Sequence, residues 1–186
     1  MSKLLIIEGP DNVGKDLLIS KLNSHFNNNT VVLHAGIPTS TDLFEYYYNG
    51  IIHDTLGHYY EGNADLIIHN RSMYGEYVYG PKYRNEKKDD VADMIKRLEI
   101  GQLKSFFLTN DLYLLLLTSS SVDLLVSNDD GLSISNKRQD IIDELKSFND
   151  IFNSSSIKNK RTIYVNDGDV FKDPNVIFNE ALDLIV

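Results

Sequence analysis

The sequence predicts an α/β fold: a parallel sheet of about five strands covered by helices on both faces. Two features point there. Short segments rich in Leu, Ile and Val lack polar alternation, as strands buried on both faces do. Between them lie longer segments with apolar residues at helical spacing, and strands separated by helices imply right-handed crossovers.

In chain order, the strands are expected at Lys3–Ile7, Thr30–His34, Asp65–His69, Leu112–Leu117 and Thr162–Val165. The helices are expected at Lys15–Phe26, Asp42–Tyr60, Asp89–Phe107 and Lys137–Phe152. Pro174 opens a last helix to Leu184, because proline suits the first helical turn. No repeat or linker divides the 186 residues, which suffice for one domain, 1–186, with a core that needs no staple.

Composition excludes several functions. The chain has no cysteine, so disulfides, zinc–thiolate sites and cysteine nucleophiles are ruled out. Its formal charge of −9, with only five arginines, disfavours a nucleic-acid duplex or an anionic membrane as partner. A small anion in a locally basic pocket remains compatible. The longest apolar run, Leu112–Leu117, is too short to span a bilayer, and the N-terminal run is too short for a secretion signal. A cytoplasmic location is expected.

The first strand leads into Gly9-Pro10-Asp11-Asn12-Val13-Gly14-Lys15-Asp16 and then a helix. This is G-x-x-x-x-G-K with aspartate in place of the usual hydroxyl residue. Glycines let successive N–H groups curl round a phosphate, and the helix N-terminus adds positive potential. Gly9, Asn12, Val13, Gly14, Lys15 and Asp16 are therefore the expected phosphate-binding residues, with Lys15 reaching the β- and γ-phosphates of ATP. The loop and its position resemble those of the thymidylate kinases, whose loop carries an acidic residue at its third position. The resemblance implies a three-layer P-loop kinase fold, ATP as donor and Mg²⁺ as cofactor. It also implies that Asp11 bonds the sugar 3′-hydroxyl of a bound deoxynucleotide; a turn role for Asp11 is the alternative.

A second segment, Asn70-Arg71-Ser72-Met73-Tyr74-Gly75-Glu76-Tyr77-Val78-Tyr79-Gly80-Pro81, follows the third strand, where parallel α/β sheets bind ligands. It is similar to the corresponding segment of phage-encoded thymidylate-kinase-like enzymes, a match that would put the protein in a host cytoplasm. The resemblance implies that Arg71 grips the acceptor phosphate, helped at the substrate site by Glu76 and Tyr79. Arginine suits that task because it offers two parallel N–H donors. The same segment also looks like that of deoxynucleoside kinases, although the glutamate those enzymes carry after the second strand is missing. The arginine that thymidylate kinases carry there is missing too.

The aromatic run Phe44-Glu45-Tyr46-Tyr47-Tyr48 suits core packing or a homodimer contact better than a base platform. The stretch 127–138 stands where nucleotide kinases carry a lid, and Arg138 is its candidate for neutralising the transferred phosphoryl group. P-loop kinases usually pair a hydroxyl after the loop lysine with an aspartate ending the third strand. Here the two positions hold Asp16 and Asn70, so Asp16 is expected either to contact Mg²⁺ or to cap its helix. Together these readings lead to a small-molecule substrate, a deoxynucleoside monophosphate phosphorylated by ATP. A deoxynucleoside kinase or a catalytically degenerate nucleotide-binding protein stays open as an alternative.

Overall fold

The computed structural model describes residues 2–186 apart from 130, 132, 134 and 136. Five parallel strands form one sheet: β1 (Lys3–Glu8), β2 (Thr30–Leu33), β3 (Leu66–Asn70), β4 (Leu112–Thr118) and β5 (Asn159–Tyr164), in the order β2-β3-β1-β4-β5. The register sets Lys3 beside Leu66 and Leu4 beside Leu112, so the C-terminal ends of β1 and β3 finish together. A two-stranded hairpin, β6 (Asn166–Asp167) with β7 (Val170–Phe171), lies beyond β5 and had no expected strand in the sequence.

Alternate residues of β1, β2, β3 and β4 feed two cores, which is why those strands read as largely apolar runs, while β5 at the edge adds only Ile163. Leu4, Ile6, Ile67, Leu114 and Leu116 pack on one face, with Tyr47, Tyr74, Phe106 and Phe148. Leu5, Ile7, Ile68, Leu115 and Leu117 pack on the other, with Leu18, Leu22, Ala181 and Ile185. Helices α1 (Lys15–His25) and α9 (Pro174–Ile185) cover the second face; Asp173 caps α9 by accepting from the Asn175 N–H.

Two expected helices are interrupted. Asp42–Tyr60 is α2 (Leu43–Tyr47) and α3 (His53–Glu61), joined by a π turn in which Gly50 leaves helical geometry. Asp89–Phe107 is α5 (Lys88–Arg97) and α6 (Lys104–Thr109), joined by a π turn over Leu98–Gln102. Each interruption contains a glycine, and a π turn changes which side chains face the sheet, here burying Ile51, Ile52 and Leu98. A further helix, α4 (Tyr74–Tyr83), occupies the second motif, despite Gly75, Gly80 and Pro81. Tyr74, Val78 and Tyr79 recur at helical spacing and are buried, and that packing outweighs weak propensity. The chain continues through α7 (Val122–Ser127) and α8 (Arg138–Ser154). Among the described residues, no helix is long and apolar enough to cross a membrane.

Candidate active site

The phosphate loop is shaped by residues that tolerate unusual backbone. Gly9 has φ 145°, and a Cβ there would stand 2.2 Å from the Leu117 carbonyl oxygen of β4, so a side chain cannot fit. Asn12 and Gly14 adopt left-handed conformations, and Gly14 precedes α1 directly. Lys15 is buried; its Nζ donates to the carbonyls of Gly9 (3.0 Å) and Pro10 (2.5 Å). Burial lowers the Lys15 pKa to about 8, against the opposing pull of Glu8, Asp16 and Glu144.

Arg71 leaves β3 in a left-handed conformation, φ 66°, which costs a non-glycine residue about 1–2 kcal/mol. Two bonds from β1 hold it there. The Arg71 N–H donates to the Ile7 carbonyl at 3.1 Å, and the Ser72 N–H donates to Glu8 Oε1 at 2.7 Å. The guanidinium then pairs with Asp11 of the phosphate loop.

Arg71 lines two clefts at once. The first, about 530 Å³, is lined by Asp11, Asn12, Gly14, Lys15 and Asp16 of the loop, with His34, Asn70, Asn128 and Ser133. Here Asn70 Nδ2 donates to Asp16 Oδ1 at 2.6 Å. The second, about 360 Å³, is more apolar, with Ile37, Pro38, Tyr47, Tyr79, Tyr83 and Phe148 around Glu8, Glu76 and Arg84. A third, about 190 Å³, flanks the loop on its other side and is lined by Val13, Leu17, Phe171, Pro174 and Ile177, among others.

In the second cleft, Glu76 is buried and fully engaged. Its Oε1 accepts from Arg84 Nε (2.8 Å) and Nη2 (2.7 Å), and its Oε2 accepts from the Tyr47 hydroxyl at 3.1 Å. Tyr79 stacks on Tyr83 and meets Phe148 edge-on, with centroids 6.4 and 5.9 Å away. Its hydroxyl is buried without a well-formed hydrogen bond. Of the aromatic run 44–48, Tyr47 alone reaches this cleft; Phe44 lies under Arg97, 4.3 Å from its guanidinium.

No protein-family model matches the chain, and no curated protein sequence matches it significantly. Solved structures do match. The YorR protein of Bacillus subtilis, in complex with phosphorylated GDP, superposes with a TM-score of 0.64 at 15% identity, over 98% of this chain and 95% of that one. Polyphosphate kinase 2 of Arthrobacter aurescens gives 0.61 at 13%, over 98% and 67%. Thymidylate kinase of Candida albicans gives 0.59 at 13%, over 99% and 91%. The chain has the P-loop kinase fold.

Within that fold, most of the expected residues converge. Asp11, Asn12, Gly14, Lys15, Asp16 and Arg71 meet in the first cleft, and Arg71, Glu76 and Tyr79 in the second. Val13 is buried under the loop and lines the third cleft, while Gly9 shapes the turn. Arg138 does not join them. It pairs with Asp123 at 3.3 Å on the exposed surface and lines none of the three clefts. The remaining lid expectation falls partly on residues 130, 132, 134 and 136, outside those described. Ser133 of that stretch accepts from Asn12 Nδ2 at 2.8 Å and donates to Asp129, tying the segment to the phosphate loop.

Sequence reasoning missed Glu8 and Arg84. Glu8 carried one signal: a charged residue ends the strand directly after four buried apolar ones, Leu4 to Ile7. Arg84 lies just past the C-terminal end of α4, and its partner is eight residues away, a spacing that no local pattern marks.

Proposed function

We propose that the protein transfers the γ-phosphoryl group of ATP to a deoxynucleoside monophosphate. The observation that carries this reading is Arg71, held in a costly backbone conformation on the wall shared by the phosphate-loop cleft and the aromatic cleft. A phosphoryl group passing between two substrates needs little covalent help; charge neutralisation and alignment supply most of the rate.

In this reading the loop N–H groups and Lys15 hold the donor phosphates. Lys15 must turn from the Gly9 and Pro10 carbonyls to do so, and a phosphate would stabilise its charge in a buried place. The apolar third cleft takes the donor base. Arg71 holds the acceptor phosphate, Asp11 orients Arg71 and meets the sugar, and Tyr47, Tyr79, Glu76 and Arg84 surround the acceptor base.

The residues present fit Mg²⁺. Among the described residues, no cluster of three His, Cys, Asp or Glu could cage a metal, but Mg²⁺ in phosphoryl transfer commonly takes one or two carboxylates, phosphate oxygens and waters. Asp16, oriented by Asn70, would supply the carboxylate. The ion would neutralise phosphate charge there.

A panel of deoxynucleosides and their monophosphates, incubated with ATP and Mg²⁺ and separated by chromatography, tests the reading. Diphosphate products formed from monophosphates are expected. Products formed from nucleosides alone would overturn it.

A further inference from the structure

Glu8 ends β1 at the inner wall of the second cleft, 2% exposed. Only one of its carboxyl oxygens is satisfied: Oε1 accepts from the Ser72 N–H, whereas Oε2 has no hydrogen-bond partner. The Gly75 N–H approaches closely enough only to weigh slightly on the carboxyl pKa. A buried unsatisfied oxygen costs free energy unless a ligand or water meets it, and beside the same cleft the Tyr79 hydroxyl has no well-formed hydrogen bond and meets only the Arg71 guanidinium. Gly75 borders Oε2 at the cleft wall, where a Cβ would lie 3.9 Å from it in ordinary contact.

Resting on the monophosphate reading, we infer that Glu8 is a neutral carboxylic acid donating a hydrogen bond from Oε2 to the acceptor's phosphate, beside the guanidinium of Arg71 and the hydroxyl of Tyr79. An ionised Glu8 would repel that phosphate; a protonated one completes a three-donor cradle for it. The surrounding groups permit this state. Arg71 after β3 and Lys15 on α1 favour the carboxylate, while Tyr47 on α2 and Tyr74 and Tyr79 on α4 face it as neutral phenols, and Glu144 on α8 faces Lys15 and Arg71. Burial outweighs the two cations and lifts the carboxyl to about 8.

Glu8→Gln separates a donor from a base. The amide keeps both roles, its oxygen accepting from Ser72 and its NH₂ donating into the cleft, but it cannot ionise. At saturating ATP, with Lys15 held by phosphate, the native acceptor KM should rise about tenfold per pH unit above the Glu8 midpoint. Glu8→Gln should lose that alkaline rise, its acceptor KM staying level over the range where the native value climbs. A Glu8→Gln enzyme with kcat down a hundredfold or more would make Glu8 a proton acceptor, and identical pH profiles would make it structural. Either result overturns the inference.

Carbon-13 NMR of glutamate carboxyls, with Glu8 assigned by its absence in Glu8→Gln, gives a second reading that needs no turnover. A midpoint well above the ordinary glutamate range, rising further with inorganic phosphate, is expected. An ordinary midpoint overturns the inference whatever the substrate. A raised midpoint in a protein that phosphorylates no monophosphate would sink the functional reading instead; Glu8 then stands or falls by its response to inorganic phosphate.

Discussion

Asn70 Nδ2 donates to Asp16 Oδ1 across 2.6 Å, joining the end of β3 to the first turn of α1. The carboxylate and the amide occupy exchanged positions relative to the usual hydroxyl and aspartate, and here they touch. If Asp16 holds Mg²⁺, Asp16→Asn should raise the Mg²⁺ concentration needed for half-maximal rate tenfold or more. Asp16→Thr combined with Asn70→Asp should recover part of what Asp16→Thr loses, a coupling on the order of 0.5–3 kcal/mol in a double-mutant cycle. An unchanged Mg²⁺ requirement would leave Asp16 as a first-turn carboxylate favoured by the helix dipole.

Lys15→Ala should abolish turnover with every accepted substrate. The Lys15 Nζ is buried against two loop carbonyls. The substitution should therefore also lower stability by about 1–3 kcal/mol, read by thermal or urea unfolding. Near-native rates would remove the phosphate-loop assignment.

Breaking the Glu76–Arg84 pair should cost more. Glu76 is buried, and Arg84→Ala leaves its charge without its strongest partner, a loss of about 3–5 kcal/mol. Arg84→Ala with Glu76→Gln should restore much of that stability and change which bases are accepted. If unfolding shows no coupling between the two, the ion pair does not organise the cleft.

Most of the sheet and the turn at Gly9 were legible because each rests on local chemistry: the inner strands are largely apolar, and only glycine fits the curl at Gly9, whereas β5 opens with the polar Asn159, Lys160 and Arg161 and was expected only from Thr162. The site's second half was less so. The helix at Tyr74–Tyr83 is built by burial of Tyr74, Val78 and Tyr79 against a propensity weakened by two glycines and a proline, so tertiary packing decides it. The breaks at Gly50 and Leu98–Gln102 follow from how helices seat on the sheet, which spacing alone does not reveal. Arg138 stood out for its charge and its place in the chain, but neither says which way a side chain turns, and it turns to Asp123.

His69 gives the fold an acid limit. Buried in β3, with Nε2 at 2.6 Å from the Thr55 hydroxyl, it is held neutral, and burial lowers its pKa to about 3. Between the ordinary value of 6.5 and that value, the unfolded chain binds a proton that the folded chain does not. Stability is thus full above 6.5 and falls with pH towards 3, by about 1.4 kcal/mol per unit from this residue. His69→Gln should flatten that slope in urea titrations; an unchanged slope would place the acid sensitivity elsewhere.

The central claim is that Arg71 grips the acceptor's phosphate from the wall between the two clefts. Its most direct test compares KM for acceptor monophosphate and for ATP in the native protein and in Arg71→Ala. The account predicts an acceptor KM raised about ten- to a hundredfold, the worth of a charged hydrogen bond, with the ATP KM nearly unchanged. A raised ATP KM with the acceptor KM unmoved would contradict it.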